Sequence, residues 1–112
     1  MRNIYTETEA RLLVNGGYDE DLVEYLKANS TEKQRVIFTE DDYQHIAHCL
    51  KDLVAELFGL YPAGDLYPIL KNDLFGAIGA CDNINRLAIS LYIIFLYNKV
   101  PASLLAQKRK RS

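Results

Sequence analysis

Three side chains able to bind a metal ion or attack an electrophile fall within five positions of the chain: His45, His48 and Cys49. Asp41 and Asp52 stand one helical turn to either side. Imidazole nitrogen and thiolate sulfur are ligands that zinc prefers, and helices present them in closely spaced pairs. His45 with Cys49, and His48 with Asp52, have the i, i+4 spacing that shares one helix face. The same residues have a plainer use. Tyr43, Ile46, Ala47, Leu50, Leu53, Val54, Leu57 and Phe58 recur at i, i+3, i+4 and i+7 and define an apolar stripe. Asp41, His45, His48 and Asp52 fall on the opposite face, where water and local ion pairs satisfy them. No metal and no cofactor is therefore expected.

Covalent chemistry would need Cys49 or Cys81 beside a histidine, and nothing in the sequence around either thiol marks it as activated. There is no Gly-rich phosphate loop, no paired-carboxylate signature and no serine elbow. The expectation is a protein that is not an enzyme. Both cysteines lie in apolar periodic segments, where a free thiol packs as a small hydrophobe, and this suits a reducing cytoplasm.

The elements that must carry these groups follow from periodicity and punctuation. Thr6 and Glu9 form a capping box that opens a short helix, and Asn15, Gly16 and Gly17 close it. A second helix over 18–28 starts with Asp19, Glu20 and Asp21, which suit its positive end, and turns Leu22, Val23, Tyr25 and Leu26 inward. Residues 29–35 read as a polar connection, and Val36, Ile37 and Phe38 as a linker that plugs an apolar gap. Thr39 caps the third helix, which carries the stripe described above. Gly59, Pro62 and Gly64 break it. A fourth helix runs from Asp65 to about Ala80, with Gly76 and Gly79 allowing close packing against another helix. Asp82 caps a fifth helix that ends near Asn98, and 102–107 adds a last weak turn.

The run Leu87–Tyr97 is uncharged but too short for a bilayer, which needs about 20 apolar residues. A helix apolar on all sides is a buried one. No secretory signal is expected, since residues 1–31 alternate charged and apolar groups. The expected fold is all-α: a compact single-domain bundle of about five helices, residues 1–107, around a buried fifth helix at about 82–98. A disordered basic tail over 108–112 completes it.

The second half, "YPAGDLYPILKNDLFGAIGACDNINRLAISLYIIFLYNKVP", resembles a group of small uncharacterised phage and prophage proteins. The shared pattern is a Pro-x-Gly turn at Pro62 and Gly64, Asn72, Asp73 and Leu74 in a helix, and Asp82 with Asn85. An apolar helix ending in Tyr97, Asn98 and Pro101 completes it. The match covers about 40 residues; the segment after Pro101 departs from the group's usual continuation, and the chain has no Trp. The resemblance implies a mobile-element origin and no particular activity.

The polar members of that pattern, Asn72, Asp73, Asp82, Asn85, Arg86 and Asn98, flank the most apolar helix. Structural roles account for them: Asp82 and Asn85 as start caps, Asn98 as an end cap, Asp73 as a partner for Arg86. A ligand or partner site is the alternative. Tyr61 and Tyr67 flank a Pro/Gly turn, where aromatic rings serve either as interface anchors or as half-buried lids.

Charge then bears on partners. Of thirteen Lys and Arg, four are Lys108, Arg109, Lys110 and Arg111, so residues 1–107 hold nine against fifteen Asp and Glu, a net of −6. Such a body repels phosphate. Asp19, Glu20, Asp21, Glu24, Glu40 and Asp41, with Tyr61 and Tyr67, form the candidate partner-binding set. The expected function is non-enzymatic binding of a protein partner by a monomer or homodimer, including inhibition of a host defence complex. The alternative is a nucleic-acid-associated accessory protein that uses Lys108 to Arg111.

Overall fold

Three threonines start three of the helices by the same device. The Thr6 hydroxyl accepts the Glu9 N–H while the Glu9 carboxylate accepts the Thr6 N–H, and the same reciprocal pair joins Thr31 to Gln34 and Thr39 to Asp42. Each box satisfies donors that a helix start leaves without an intrahelical acceptor. The computed structural model describes residues 1–60 and 83–110. Within them the chain forms α1 (Glu7–Val14), α2 (Asp19–Asn29), α3 (Glu32–Ile37), α4 (Glu40–Leu57), α5 (Asn83–Lys99) and α6 (Ala102–Lys110), and no strand. The fold is all-α.

Two helices end on glycines with positive φ. Gly16 (φ 95°) and Gly59 (φ 75°) follow α1 and α4. The Gly17 N–H reaches the Leu12 carbonyl and the Leu60 N–H reaches the Ala55 carbonyl, both 2.8 Å. These are the long bonds of the left-handed helix ending, and a side chain at Gly16 or Gly59 would be strained there.

The apolar stripe of α4 is the hub of the described residues. Tyr43, Ile46, Ala47, Leu50, Leu53, Val54 and Leu57 are buried, and α4 packs against α1, α2, α5 and α6. Opposite it, α5 buries Ala88, Ile89, Leu91, Tyr92, Phe95 and Leu96. It is not buried all round, because Leu87, Ile93 and Tyr97 reach the surface. The N-terminal segment before α1 pins the Lys99 end of α5. Ile4 is fully buried, and its N–H donates to the Lys99 carbonyl at 2.6 Å, satisfying one of that helix's terminal acceptors.

The structure differs from the sequence expectation at further places. Residues 32–37 are helical, not a linker, because the Thr31–Gln34 box nucleates a turn that the β-branched residues after it do not prevent. Val36 is 86% exposed and Ile37 44%, so the apolar plug is Phe38 alone, whose ring meets Tyr43 edge-on at 5.5 Å. The backbone of Lys108, Arg109 and Lys110 continues α6 instead of leaving it as a tail. Asn98 lies inside α5 and donates to the Tyr25 hydroxyl at 3.4 Å, while the helix end is closed by Ile4. The expected fourth helix, Gly76, Gly79, Tyr61, Tyr67, Asn72, Asp73, Cys81, Asp82 and Arg111 lie outside the described residues.

Candidate functional site

Asp19, Glu20 and Asp21 open α2, and Glu40 and Asp41 open α4, each set placed where a helix N-terminus favours negative charge. α2 packs antiparallel on α4, with Asp19 at its start beside Lys51 and Lys27 near its end beside Glu40, so the two acidic starts lie along one side of the helix pair at opposite ends. A concavity of about 440 Å³ is lined by Gly16, Gly17, Tyr18, Asp19, Glu20 and Asp21. A second, of about 270 Å³, shares Asp19 and Glu20 with it and adds Val23, Glu24, Lys27, Glu40 and Gln44. The two make one open acidic cleft.

The carboxylates of this cleft are not equivalent. Asp19 pairs with Lys51, and Glu40 with Lys27. The hydrogen bond from the Lys27 ammonium, aided by its charge, holds the Glu40 carboxyl below the ordinary value of 4.5. Glu20, Asp21, Glu24 and Asp41 are exposed and form no ion pair with the described residues. Asp41 stands on α4 outside the lining of the cleft. Sequence reasoning named the carboxylates but missed Lys27, Lys51 and Gln44, whose part depends on how the helices pack.

The groups read as a possible metal site separate into two pairs. His48 Nε2 lies 3.9 Å from Asp52 Oδ2 at the surface. His45 Nε2 lies 3.7 Å from Cys49 Sγ. Among the described residues no three His, Cys, Asp or Glu side chains gather in the way a bound metal ion needs.

Cys49 instead faces α5. The Asn85 Nδ2 group donates to Cys49 Sγ at 3.5 Å, and the Tyr92 hydroxyl donates to Asn85 Oδ1. Asn85 is buried, at 5% exposure, and Tyr92 fully so. The sequence reading made Asn85 a helix-start cap; its contact with Cys49 instead links α5 to α4, and its contact with Tyr92 lies within α5. Each of His45, Cys49, Asn85 and Tyr92 makes a further interaction besides these. Arg86 reaches back to Asn83 Oδ1 at 3.5 Å and also has a further partner.

Two more buried polar groups bind the frame around the cleft. Gln34 Nε2 donates to the Leu87 carbonyl at 2.9 Å and to Ser90 Oγ at 3.1 Å, tying α3 to α5. The Tyr43 hydroxyl donates to Ser30 Oγ at 2.9 Å, and Ser30 donates to the Leu26 carbonyl. No buried side-chain N or O among the described residues lacks a partner, as a well-packed interior requires.

Protein-family models, curated proteins and solved structures give no match to this chain. No described helix is long and apolar enough to cross a membrane.

Proposed function

We propose that the protein is a non-enzymatic interaction protein of phage or mobile-element type. It acts by docking its acidic α2–α4 cleft onto a positively charged groove of a protein partner. A groove that normally holds nucleic acid has the required charge, and occupying it would inhibit a host complex such as a defence nuclease.

One observation carries the reading. Carboxylates from two helix starts some 20 positions apart line a single cleft, and Glu20 and Glu24 in it are not neutralised by a described lysine or arginine. The net of −6 over residues 1–107 gives the same sign to the long-range field. Charge of this kind speeds encounter with a basic partner and disfavours nucleic acid.

The test replaces Glu20, Asp21 and Glu24 together by Lys, sparing Asp19 because it pairs with Lys51. Immobilised wild-type chain is expected to retain a basic host protein from a lysate at low salt. Retention is expected to fall as salt rises and to be lost in the triple variant. Deletion of residues 108–112 is expected to leave it intact. Unchanged retention by the triple variant would remove the cleft from the interface. Tight duplex-DNA binding that depends on residues 108–112 would replace the reading with the nucleic-acid one.

A further inference from the structure

Leu87, Ser90, Ile93 and Tyr97 recur at the three- and four-residue spacing of one helix face, and all four are exposed on α5. We propose that this face is where two copies of the chain meet, in a two-fold pairing that lays α5 antiparallel against α5 of the second copy.

A helix face turned to water ordinarily carries charge. From Leu87 to Asn98 there is none, yet Leu87 is 47% exposed at one end of the stripe and Tyr97 61% at the other. The face continues onto α3. Gln34 holds that helix to α5 at Leu87 and Ser90, and Ile37, one turn on from Gln34, is exposed as well, with Val36 next to it. Leu87, Ile93, Tyr97, Val36 and Ile37 are five of the seven large apolar side chains that the described residues expose. Exposure is therefore concentrated on these two neighbouring helices, whereas single scattered apolar groups would need no explanation.

The stripe is built to meet itself. Leu87 and Tyr97 lie equally far along the helix from Tyr92, and so do Ser90 and the half-buried Ile94. An antiparallel pair crossing at that midpoint sets each Leu87 against Tyr97 of the second copy, and each Ser90 against Ile94, small opposite large. One patch then serves both copies, as a two-fold contact requires. The five exposed apolar side chains present about 500 Å² on one copy, so that two copies bury about 1,000 Å², near the lower bound of a specific interface. The pair is accordingly a weak one. Charge does not oppose it, because the face is neutral and the whole chain has a net charge of only −2. The acidic cleft takes no part, so the two surfaces stand or fall separately.

Sedimentation velocity of the full chain, from about 1 μM to about 1 mM, reads the association. The wild type is expected to pass from monomer to dimer toward the top of that range, and the dimer to persist at about 1 M salt, because salt screens charge and not apolar burial. L87D and Y97K are each expected to weaken the dimer about tenfold or more, with melting temperatures nearly unchanged since both side chains are exposed. An equimolar mixture of the two is expected to recover it. Positions 87 and 97 then meet with opposite charge at one end, and Leu87 still meets Tyr97 at the other. Leu87→Ser serves as a second substitution should L87D disturb the fold. Four results would overturn the proposal: a wild type monomeric at every concentration, even one that holds a different protein on this face; a dimer that dissolves in high salt; an L87D chain that pairs like the wild type; or a mixture that stays monomeric.

Discussion

The α2–α4 cleft and the α4–α5 seam share one helix and use polar side chains in opposite ways. In the cleft, carboxylates stand in water. Their two ion pairs, Lys51 with Asp19 and Lys27 with Glu40, involve half-exposed or exposed acids, and pairs of that kind contribute little to stability. In the seam, Asn85 and Tyr92 are buried, where a polar group without a partner is costly. Charge in the cleft is therefore available for recognition, whereas polarity in the seam fixes how two helices register.

The largest test of this contrast is at the apolar floor of the seam. Leu50 is fully buried on α4. Leu50→Ala should cost roughly 2–5 kcal/mol, from lost transfer energy and the cavity left behind. Denaturant unfolding measures it. A loss under about half a kcal/mol, the range of ordinary surface changes, would show that α4 is not the hub of the fold.

Asn85→Leu sharpens the comparison at a polar position. It removes the acceptor of the Tyr92 hydroxyl and a donor to Cys49, and should destabilise by about 1–3 kcal/mol despite the greater apolarity of Leu. A variant as stable as the wild type would mean that the seam tolerates an apolar side chain there and that the cross-link does not set register.

The smallest effect belongs to the cleft. Glu40 has its folded value lowered by Lys27, so the pair stabilises the protein above the ordinary carboxylate value of 4.5. That contribution is lost as pH falls through the lowered folded value. Lys27→Met should lower the melting temperature slightly at neutral pH and converge with the wild type at low pH, so that the acid side of the profile is flatter. Glu9 gives the same sign at α1. The Tyr5 N–H first, then the Thr6 hydroxyl and N–H, with Arg2 beside them, hold its carboxyl below the ordinary range. An acid limb identical in Lys27→Met and wild type would show that the pair has no part in acid sensitivity.

Local signals were legible wherever they act within one or two helical turns. The box at Thr6 and Glu9, the cap at Thr39, the glycines after α1 and the stripe of α4 were all readable, because their partners lie within five positions. A local misreading, at 32–37, took a polar run and the β-branched pair Val36 and Ile37 for connection and linker and passed over the Thr31–Gln34 start signal. Gln34 also shows where reading along the chain stops. Its backbone-facing oxygen completes the box at Thr31, but its Nε2 finds Leu87 and Ser90, more than fifty positions away.

By itself the sequence determined an all-α chain, the starts and ends of its first helices, the buried face of α4 and the sign of the charge at two helix starts. Each depends on backbone geometry or side-chain spacing that a single helix already possesses. Only the tertiary structure decided that those two starts line one cleft, that Lys27 and Lys51 temper it, that Ile4 closes α5, and that Asn85 meets Cys49 instead of capping its own helix. The reason is physical. A polar side chain takes whichever partner packing brings within about 3 Å, and the packing of helices is fixed by apolar surfaces that carry no record of which polar groups they will bring together.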